Sequence, residues 1–292
     1  MSRKRGFTLV ELLVVIAIIA LLMSILLPAM SRVRKQAKAV MCQSNLKQWG
    51  VCFAAYAGDW DGYFPRGWCT DPYPFPSPET RAKSYWMEAL RPYYGNDHDL
   101  RCCPMAMKAG TQVGGTTQFG GALLDSTFIG WGVFAGENCG EPLPTWPYAI
   151  ACDYGSYGWN GWVGNPPPDV PEDLGQEHPV IWNWRNANVK GSAFIPLLLD
   201  EQWVDGWPRQ TDAPPAMGGQ PWQIVGYEHA GRYCNDRHNK YINAVFLDFS
   251  VRKVGLKELW KLEWHRGYRE NNPSPTEWNS PDHWMFGMRD YD

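Results

Sequence analysis

The chain has 292 residues, a formal net charge of -3 and an apolar fraction of 45%. This length allows one good-sized domain with a real core, and the balanced charge argues against nucleic acid as a partner. The sequence is rich in tryptophan (17 residues), glycine (29) and proline (24). We therefore expect a loop-rich body that is held together by large aromatic side chains.

The N-terminus combines a short basic head, Arg3 to Arg5, with an apolar run from Phe7 to Met30. As a helix this run spans about 36 Å at about 1.5 Å per residue, which is enough to cross a bilayer core of about 30 Å. Basic residues before the run favour a cytoplasmic N-terminus, although further basic residues follow it. One carboxylate, Glu11, interrupts the run, and a charge in a membrane segment is usually kept for a functional reason.

Three interpretations of this segment compete. A cleaved signal peptide has a shorter apolar core and a small-residue cleavage site, and Pro28 to Ser31 is a poor match to such a site. A plain membrane anchor fits the length but leaves Glu11 unexplained. The third interpretation accounts for every residue, because Gly6-Phe7-Thr8-Leu9-Val10-Glu11 resembles the processing site of type IV prepilins and type II secretion pseudopilins.

This resemblance implies a defined maturation and a defined set of partners. It implies cleavage between Gly6 and Phe7 by a prepilin peptidase, with N-methylation of Phe7. The new α-amino group is cationic near neutral pH, so Glu11 of one subunit could pair with the Phe7 amine of its neighbour. The other implied partners are further pilin or pseudopilin subunits and inner-membrane lipid, with a single span, a cytoplasmic N-terminus and an exported head.

The helix is predicted to continue beyond the membrane. Cys42, Leu46, Trp49, Phe53 and Tyr56 are spaced by four, three, four and three residues, which is one apolar stripe of an amphipathic helix. A glycine at position 58 is a plausible helix end. We therefore divide the chain into a leader (1–6), a transmembrane helix (7–30), its amphipathic continuation (31–58) and a globular head (59–292).

A second resemblance covers the region after the membrane helix. CQSNLKQWGVCFAAYAGDWDGYFP, from Cys42, is similar to the post-helix region of a large family of bacterial prepilin-type proteins. Cys103-Pro104 and Tyr157-Gly158-Trp159-Asn160 match further family elements. The implied fold is α+β and pilin-like: a long N-terminal helix packed on an antiparallel β-sheet head with long loop insertions, which we place at about 106–190.

The C-terminal third contains three predicted strands, 194–200, 242–248 and 251–254. His238 and Asp248 resemble the family signature of His, nine residues and Asp-Gly, with Phe249 in place of the glycine. That exchange questions the turn type, because glycine there would permit a positive φ. His238 with Asp248, Asp200 and Asp236 could form a catalytic or metal site, but we expect instead that His238 hydrogen-bonds an aspartate at a strand end and fixes the hairpin.

Signals for catalysis or for metal binding are weak. No nucleophile elbow, HExxH motif or P-loop is present, so we expect no enzyme activity. Cys234, His238 and nearby His229 have zinc-like spacing but lack a second ligand pair. Asp59 and Asp61 lie in a partial calcium loop, Asp59-Trp60-Asp61-Gly62, which predicts at most a weak calcium site.

The cysteines and tryptophans leave two questions open. Eight cysteines allow disulfides in an exported body, although buried free thiols are the alternative. Five tryptophans could form an exposed sugar-stacking platform, although such residues more often fill cores and interfaces; they are Trp182, Trp184, Trp203, Trp207 and Trp222. The predicted function is a structural subunit of a pilus-like filament or secretion pseudopilus, and the alternative is a membrane-anchored adhesion module.

Overall fold

The computed structural model describes ten segments of the chain. They are residues 9–67, 86–95, 97–110, 127–133, 142–143, 146–150, 154–167, 179–215, 229–268 and 275–288.

A single helix, α1, forms the spine of the molecule. It covers Leu9–Asp59, 51 residues, and its assignment continues through Pro28 without a gap. At about 1.5 Å per residue it is roughly 77 Å long. The predicted helix and its end near Gly58 are confirmed, because the chain turns directly afterwards with Asp61 and Gly62 both at positive φ.

The predicted apolar stripe faces the head. Cys42, Leu46, Trp49 and Phe53 are buried, and Tyr56 packs on them from the edge. This half of α1 contacts the main sheet and a short second helix, α2 (Trp86–Tyr94). The amphipathic continuation of the helix is thereby confirmed.

Ten strands are assigned within the described residues, and five of them form the main sheet. In chain order the strands are β1 (Lys108–Gly110), β2 (Ile129–Val133), β3 (Pro142–Leu143), β4 (Trp146–Ile150), β5 (Tyr154–Gly155), β6 (Tyr157–Asn160), β7 (Pro196–Asp200), β8 (Asp205–Gly206), β9 (Tyr241–Phe246) and β10 (Val251–Gly255). The main sheet has the order β10-β9-β7-β6-β8. All neighbours in it are antiparallel except β6 and β8, which are parallel. The α+β, pilin-like architecture is confirmed.

Short helical turns and two smaller sheets complete the head. The remaining helical elements are α3 (Ala230–Tyr233) and the 3-10 turns Gly161–Val163, Val180–Trp182, Ser192–Phe194, Leu256–Lys261 and Glu277–Asn279. The smaller sheets have the orders β1-β2-β5 and β3-β4.

The predicted insertion region is more integral to the fold than we expected. Strand β6, which lies inside the 106–190 region, is fully buried between β7 and β8. Its sequence, Tyr157-Gly158-Trp159-Asn160, is too short to show strand periodicity. Asn160 explains part of its position, because its amide donates to the carbonyls of Pro196 and Trp264 at 2.8 and 3.0 Å.

Tryptophans hold the loops onto the core, as the composition predicted. Among the tryptophans that the structure describes, eleven are buried: Trp49, Trp86, Trp131, Trp159, Trp162, Trp184, Trp203, Trp207, Trp260, Trp264 and Trp278. Several also donate their indole N–H to a distant carbonyl, such as Trp49 to Leu100 and Trp86 to Val204, each at 2.8 Å. A buried indole therefore supplies both apolar contact and a directed bond.

The C-terminal hairpin forms with an unusual turn residue. Strands β9 and β10 pair in register from Val251 opposite Val245. Phe249 adopts φ 62 in the connection, the left-handed region that a glycine would occupy at lower cost. The glycine turn geometry is thus retained by an aromatic residue, whose side chain packs against the core.

Candidate functional site

The first half of α1 presents a continuous apolar surface to its surroundings. The large hydrophobic side chains from Leu9 to Leu27 are each at least 45% exposed. Soluble monomers rarely expose so large an apolar patch. Judged by length and composition, α1 is the one helix within the described residues that is long and apolar enough to cross a membrane.

The two predicted processing residues lie outside the described residues, whereas the predicted assembly residue lies within them. Gly6 and Phe7 precede the described start of α1 at Leu9, and Glu11 lies in the first turn of the helix. A carboxylate in the first turn is favoured by the positive end of the helix dipole. The predicted cleavage and the predicted pairing of Glu11 with an amine remain predictions.

The second half of α1 packs closely on the sheet. A Cβ atom added to Gly50 would lie 3.1 Å from Cγ2 of Val245 on β9. Lys47, one turn earlier, donates through Nζ to the carbonyl of Phe249 at 3.0 Å. The helix therefore rests on the C-terminal hairpin, and the glycine permits the close approach.

Four polar side chains from separate segments meet beneath α1. They are Cys42 on α1, Cys103 after α2, Asp200 at the end of β7 and His238 before β9. One ligand-type atom from each lies within 4.8 Å of the other three, and all four residues are buried. We call these residues the buried cluster.

Asp200 is the centre of the hydrogen bonds in the buried cluster. Its Oδ2 lies 3.1 Å from Nε2 of His238 and accepts from the backbone N–H of Asn243 at 2.9 Å. Its Oδ1 accepts from Nη1 of Arg237 at 3.1 Å. Both oxygens lie 3.5 Å from the thiol of Cys42. The expected bond from His238 to a strand-end aspartate is confirmed, with Asp200 as the partner.

Charge interactions outweigh burial at two of these groups. Burial opposes a charged imidazole, but the carboxylate of Asp200 raises the pKa of His238 to about 9. Burial likewise opposes a charged carboxylate, but His238 and then Arg237 hold the pKa of Asp200 well below its ordinary value. The two groups therefore form a buried ion pair at neutral pH.

The two thiols differ strongly in acidity. Burial raises the pKa of Cys42 well above its ordinary value. Burial also opposes ionisation of Cys103, but a hydrogen bond from Cys42 and another from His238 lower the pKa of Cys103 to about 7. The Sγ of Cys103 lies 3.3 Å from Nε2 of His238. A thiolate at Cys103 is thus stabilised beside a charged imidazole.

Asp248 does not belong to the buried cluster. It is exposed in the hairpin connection, where its Oδ1 accepts from the N–H and the hydroxyl of Ser250 at 2.9 and 2.7 Å. His238 and Asp248 flank opposite ends of β9, so the extended strand keeps them apart. The signature spacing therefore marks the two ends of a strand, and Asp200, not Asp248, lies against His238.

The zinc-like spacing of Cys234, His238 and His229 does not correspond to a shared site. The thiol of Cys234 lies 3.8 Å from the sulfur of Met285. Nδ1 of His229 accepts from the backbone N–H of Trp207 at 2.9 Å. The sequence did not identify Cys42 and Cys103 as neighbours of His238, because they lie far from it in the chain and share no ligand spacing with it.

Asp59 and Asp61 lie together on the surface where α1 ends. Oδ2 of Asp59 accepts from the hydroxyl of Tyr93 at 2.9 Å. Both aspartates line a cleft that also contains Arg66, whose positive charge works against a cation there. The weak calcium site stays a prediction.

The alternative of an exposed tryptophan platform needs correction. Trp184, Trp203 and Trp207 are core residues with at most 9% exposure, so they form no exposed sugar-stacking platform. Trp182 is half-buried, and Trp222 lies outside the described residues.

The five described cysteines carry free thiols. They are Cys42, Cys52, Cys102, Cys103 and Cys234, and all are buried. This agrees with the alternative of buried thiols for these five. Cys69, Cys139 and Cys152 lie outside the described residues.

Comparisons with known proteins bear on the N-terminal segment. Residues 1–27 match the family model described as the prokaryotic N-terminal methylation motif. Searches among curated proteins and among solved structures return no match. The chain therefore carries a prokaryotic N-terminal methylation motif on a long apolar helix, which is consistent with a type IV prepilin-like or pseudopilin-like protein.

Proposed function

We propose that this protein is a structural, non-enzymatic subunit of a type IV pilus-like filament or of a secretion pseudopilus. The observation that supports the proposal is the exposed apolar half of α1, which lies within the methylation motif matched at residues 1–27. Such a surface needs lipid before assembly and neighbouring helices after it. The other half of the same helix is built into the head, so packing of the spines positions the heads around the filament.

Maturation creates the polar contact that sets the register of the subunits. Cleavage between Gly6 and Phe7 by a prepilin peptidase leaves an amine on Phe7, which is then N-methylated. This cationic group of one subunit pairs with Glu11 of its neighbour inside the apolar bundle. Because an unpaired charge in that environment is costly, only the register that joins the two groups is favoured.

Topology follows from the same arrangement. The basic residues before the helix remain in the cytoplasm, α1 crosses the inner membrane once, and the head folds outside the cytoplasm. Prepilin peptidase, other pilin or pseudopilin subunits and inner-membrane lipid are the partners in this account.

Substitution of Glu11 tests the assembly step. Glu11→Gln keeps the size of the side chain and removes its charge, and Leu12→Ala trims an exposed apolar neighbour as the control. We expect both variants to insert into the membrane, because neither reduces the ability of the helix to cross it. Loss of a buried ionic partner costs about 3–5 kcal/mol, so assembled material should fall roughly tenfold or more for Glu11→Gln only.

Two measurements separate insertion from assembly. Carbonate extraction of membranes reports insertion, and electron microscopy of sheared cell-surface and membrane fractions reports filaments. Normal filaments from the Glu11→Gln variant would exclude the proposed pair, and filaments from neither variant nor the wild type would oppose the proposed function.

A further inference from the structure

The buried cluster has the ligands and the dimensions of a metal centre. We propose that Cys42, Cys103, Asp200 and His238 bind one divalent transition-metal ion of the zinc type, which fastens the helical spine to the head. This inference is independent of whether the protein forms filaments. It rests on the contacts, burial and chemistry of the four side chains.

The distances match those around a tetrahedral zinc ion. Zinc–sulfur bonds of about 2.3 Å and zinc–nitrogen or zinc–oxygen bonds of about 2.0–2.1 Å place neighbouring ligand atoms about 3.3–3.8 Å apart. The measured separations are 3.3 Å from Cys103 to His238, 3.1 Å from His238 to Asp200 and 3.5 Å from Cys42 to Asp200. Because all four ligand atoms lie within 4.8 Å of one another, binding of the ion at the centre requires shifts of at most about 1 Å.

The donor set selects the class of metal. Two thiolates and an imidazole are soft or intermediate donors, which suit zinc and disfavour calcium or magnesium. Four protein ligands also close a tetrahedral site, which is the arrangement of structural zinc centres. Because all four residues are buried, no coordination position is open to a substrate.

The charges of the occupied site balance. Two thiolates and the carboxylate of Asp200 carry three negative charges, and a divalent ion leaves one of them uncompensated. Arg237, which is buried with its Nη1 3.1 Å from Oδ1 of Asp200, supplies the remaining positive charge. Binding releases the protons of the two thiols and the Nε2 proton of His238, because thiolate sulfur and neutral imidazole are the forms that coordinate a metal.

Neighbouring groups already hold the ligands in place. The hydroxyl of Tyr157 lies 3.3 Å from the sulfur of Cys42. The backbone N–H of Asn243 fixes Oδ2 of Asp200, and the backbone N–H of Cys103 donates to the hydroxyl of Ser156 at 2.6 Å. Supporting bonds of this kind orient metal ligands and raise affinity.

The location gives the metal a structural role. Cys42 belongs to α1, whereas Asp200 and His238 adjoin central strands of the sheet. Cys42 and Asp200 are 158 residues apart in the chain, and Cys103 and His238 are 135 apart. One ion would therefore cross-link four distant segments and fix the helix to the head.

Metal content of the full-length protein tests the proposal. The protein is extracted from membranes in detergent without chelators, incubated with zinc under mild reductant, desalted and analysed by elemental mass spectrometry. We expect about one zinc per wild-type chain. We expect a loss of about tenfold or more for Cys42→Ser, Cys103→Ser, Asp200→Asn and His238→Gln, and no loss for the control Cys234→Ser, whose thiol is buried elsewhere.

Cobalt gives a readout that does not depend on the variants folding. Wild-type protein incubated with Co²⁺ should show visible bands of tetrahedral cobalt and a sulfur-to-cobalt charge-transfer band. Tyr157→Phe should retain these bands but bind zinc about tenfold more weakly, because it removes a supporting bond and no ligand.

Two results would overturn the proposal. One is wild-type protein that retains no more zinc than Asp200→Asn and gives no tetrahedral cobalt spectrum. The other is a Cys42–Cys103 disulfide found by peptide mapping in protein taken directly from its compartment, since a disulfide removes both thiolate ligands.

Discussion

Arg237 is the residue whose loss should destabilise the head most sharply. Its guanidinium is completely buried and donates to Asp200 and to the carbonyls of Thr127, Ser156 and Glu201 at 2.7–3.1 Å. The Arg237→Met variant keeps an apolar side chain of similar length and removes all four bonds. Asp200 would then remain buried without its guanidinium partner.

The magnitude follows from that geometry. Removing one partner of a buried pair costs about 3–5 kcal/mol, and three carbonyls also lose a charged donor at about 1 kcal/mol or more each. Because these terms overlap, we expect a loss of at least about 4 kcal/mol in the free energy of unfolding. A surface pair is worth only about 0–1 kcal/mol. Arg252, paired with Glu258 and 35% exposed, supplies the matched control.

Urea unfolding of the detergent-solubilised full-length chain, followed by tryptophan fluorescence, measures both variants. EDTA is present throughout, so that bound metal does not contribute. With a slope of about 2 kcal/mol per molar urea, Arg237→Met should lower the midpoint by about 2 M and Arg252→Met by less than about 0.5 M. Equal shifts for the two variants would refute the reasoning that burial makes Arg237 critical.

Two further predictions concern the packing of α1 and the pH dependence of stability. Gly50→Leu should destabilise the head by about 1–3 kcal/mol, because even a Cβ atom at this position would lie 3.1 Å from Val245. Gly58→Leu should leave the stability unchanged, because no atom lies within 4 Å of its Cβ position. Equal unfolding midpoints for the two variants would contradict the close approach of α1 to the sheet at Gly50. Burial raises the pKa of Asp205 to about 7, despite the opposing charge of Arg232, so its neutral form is favoured in the folded state. The stability that Asp205 contributes is complete below about pH 4 and is lost as the pH rises to about 7, a change of about 4 kcal/mol in the free energy of unfolding. The Asp205→Asn variant should lack this change when urea unfolding is measured across that pH range. Parallel plots of unfolding free energy against pH for the two proteins would contradict the prediction.

Periodicity explains which parts of the fold could be predicted. The spacing of Cys42, Leu46, Trp49 and Phe53 identified the buried face of α1, because side chains three and four residues apart share one side of a helix. The run before Asp200 identified a buried strand for a similar local reason. Patterns of this kind are set by neighbouring residues, so the sequence displays them directly.

Long-range contacts explain what could not be predicted. Tyr157 to Asn160 forms a central strand of only four residues, which is too short for a clear alternation. His238 meets Cys42 and Cys103 only because α1 packs across the sheet, and no motif records that packing. Phe249 keeps a glycine-type backbone because its ring packs on the core, and local propensity alone disfavours this conformation.

The central claim is that the apolar half of α1 is a processed assembly surface, and the mature N-terminus tests it most directly. Mass spectrometry of the protein from native membranes, with Gly6→Ala as the uncleaved control, identifies the first residue and its modification. We predict a chain that begins with N-methylated Phe7, and a control that keeps the leader. A wild-type protein that retains residues 1–6 in its membrane-bound form would contradict the account.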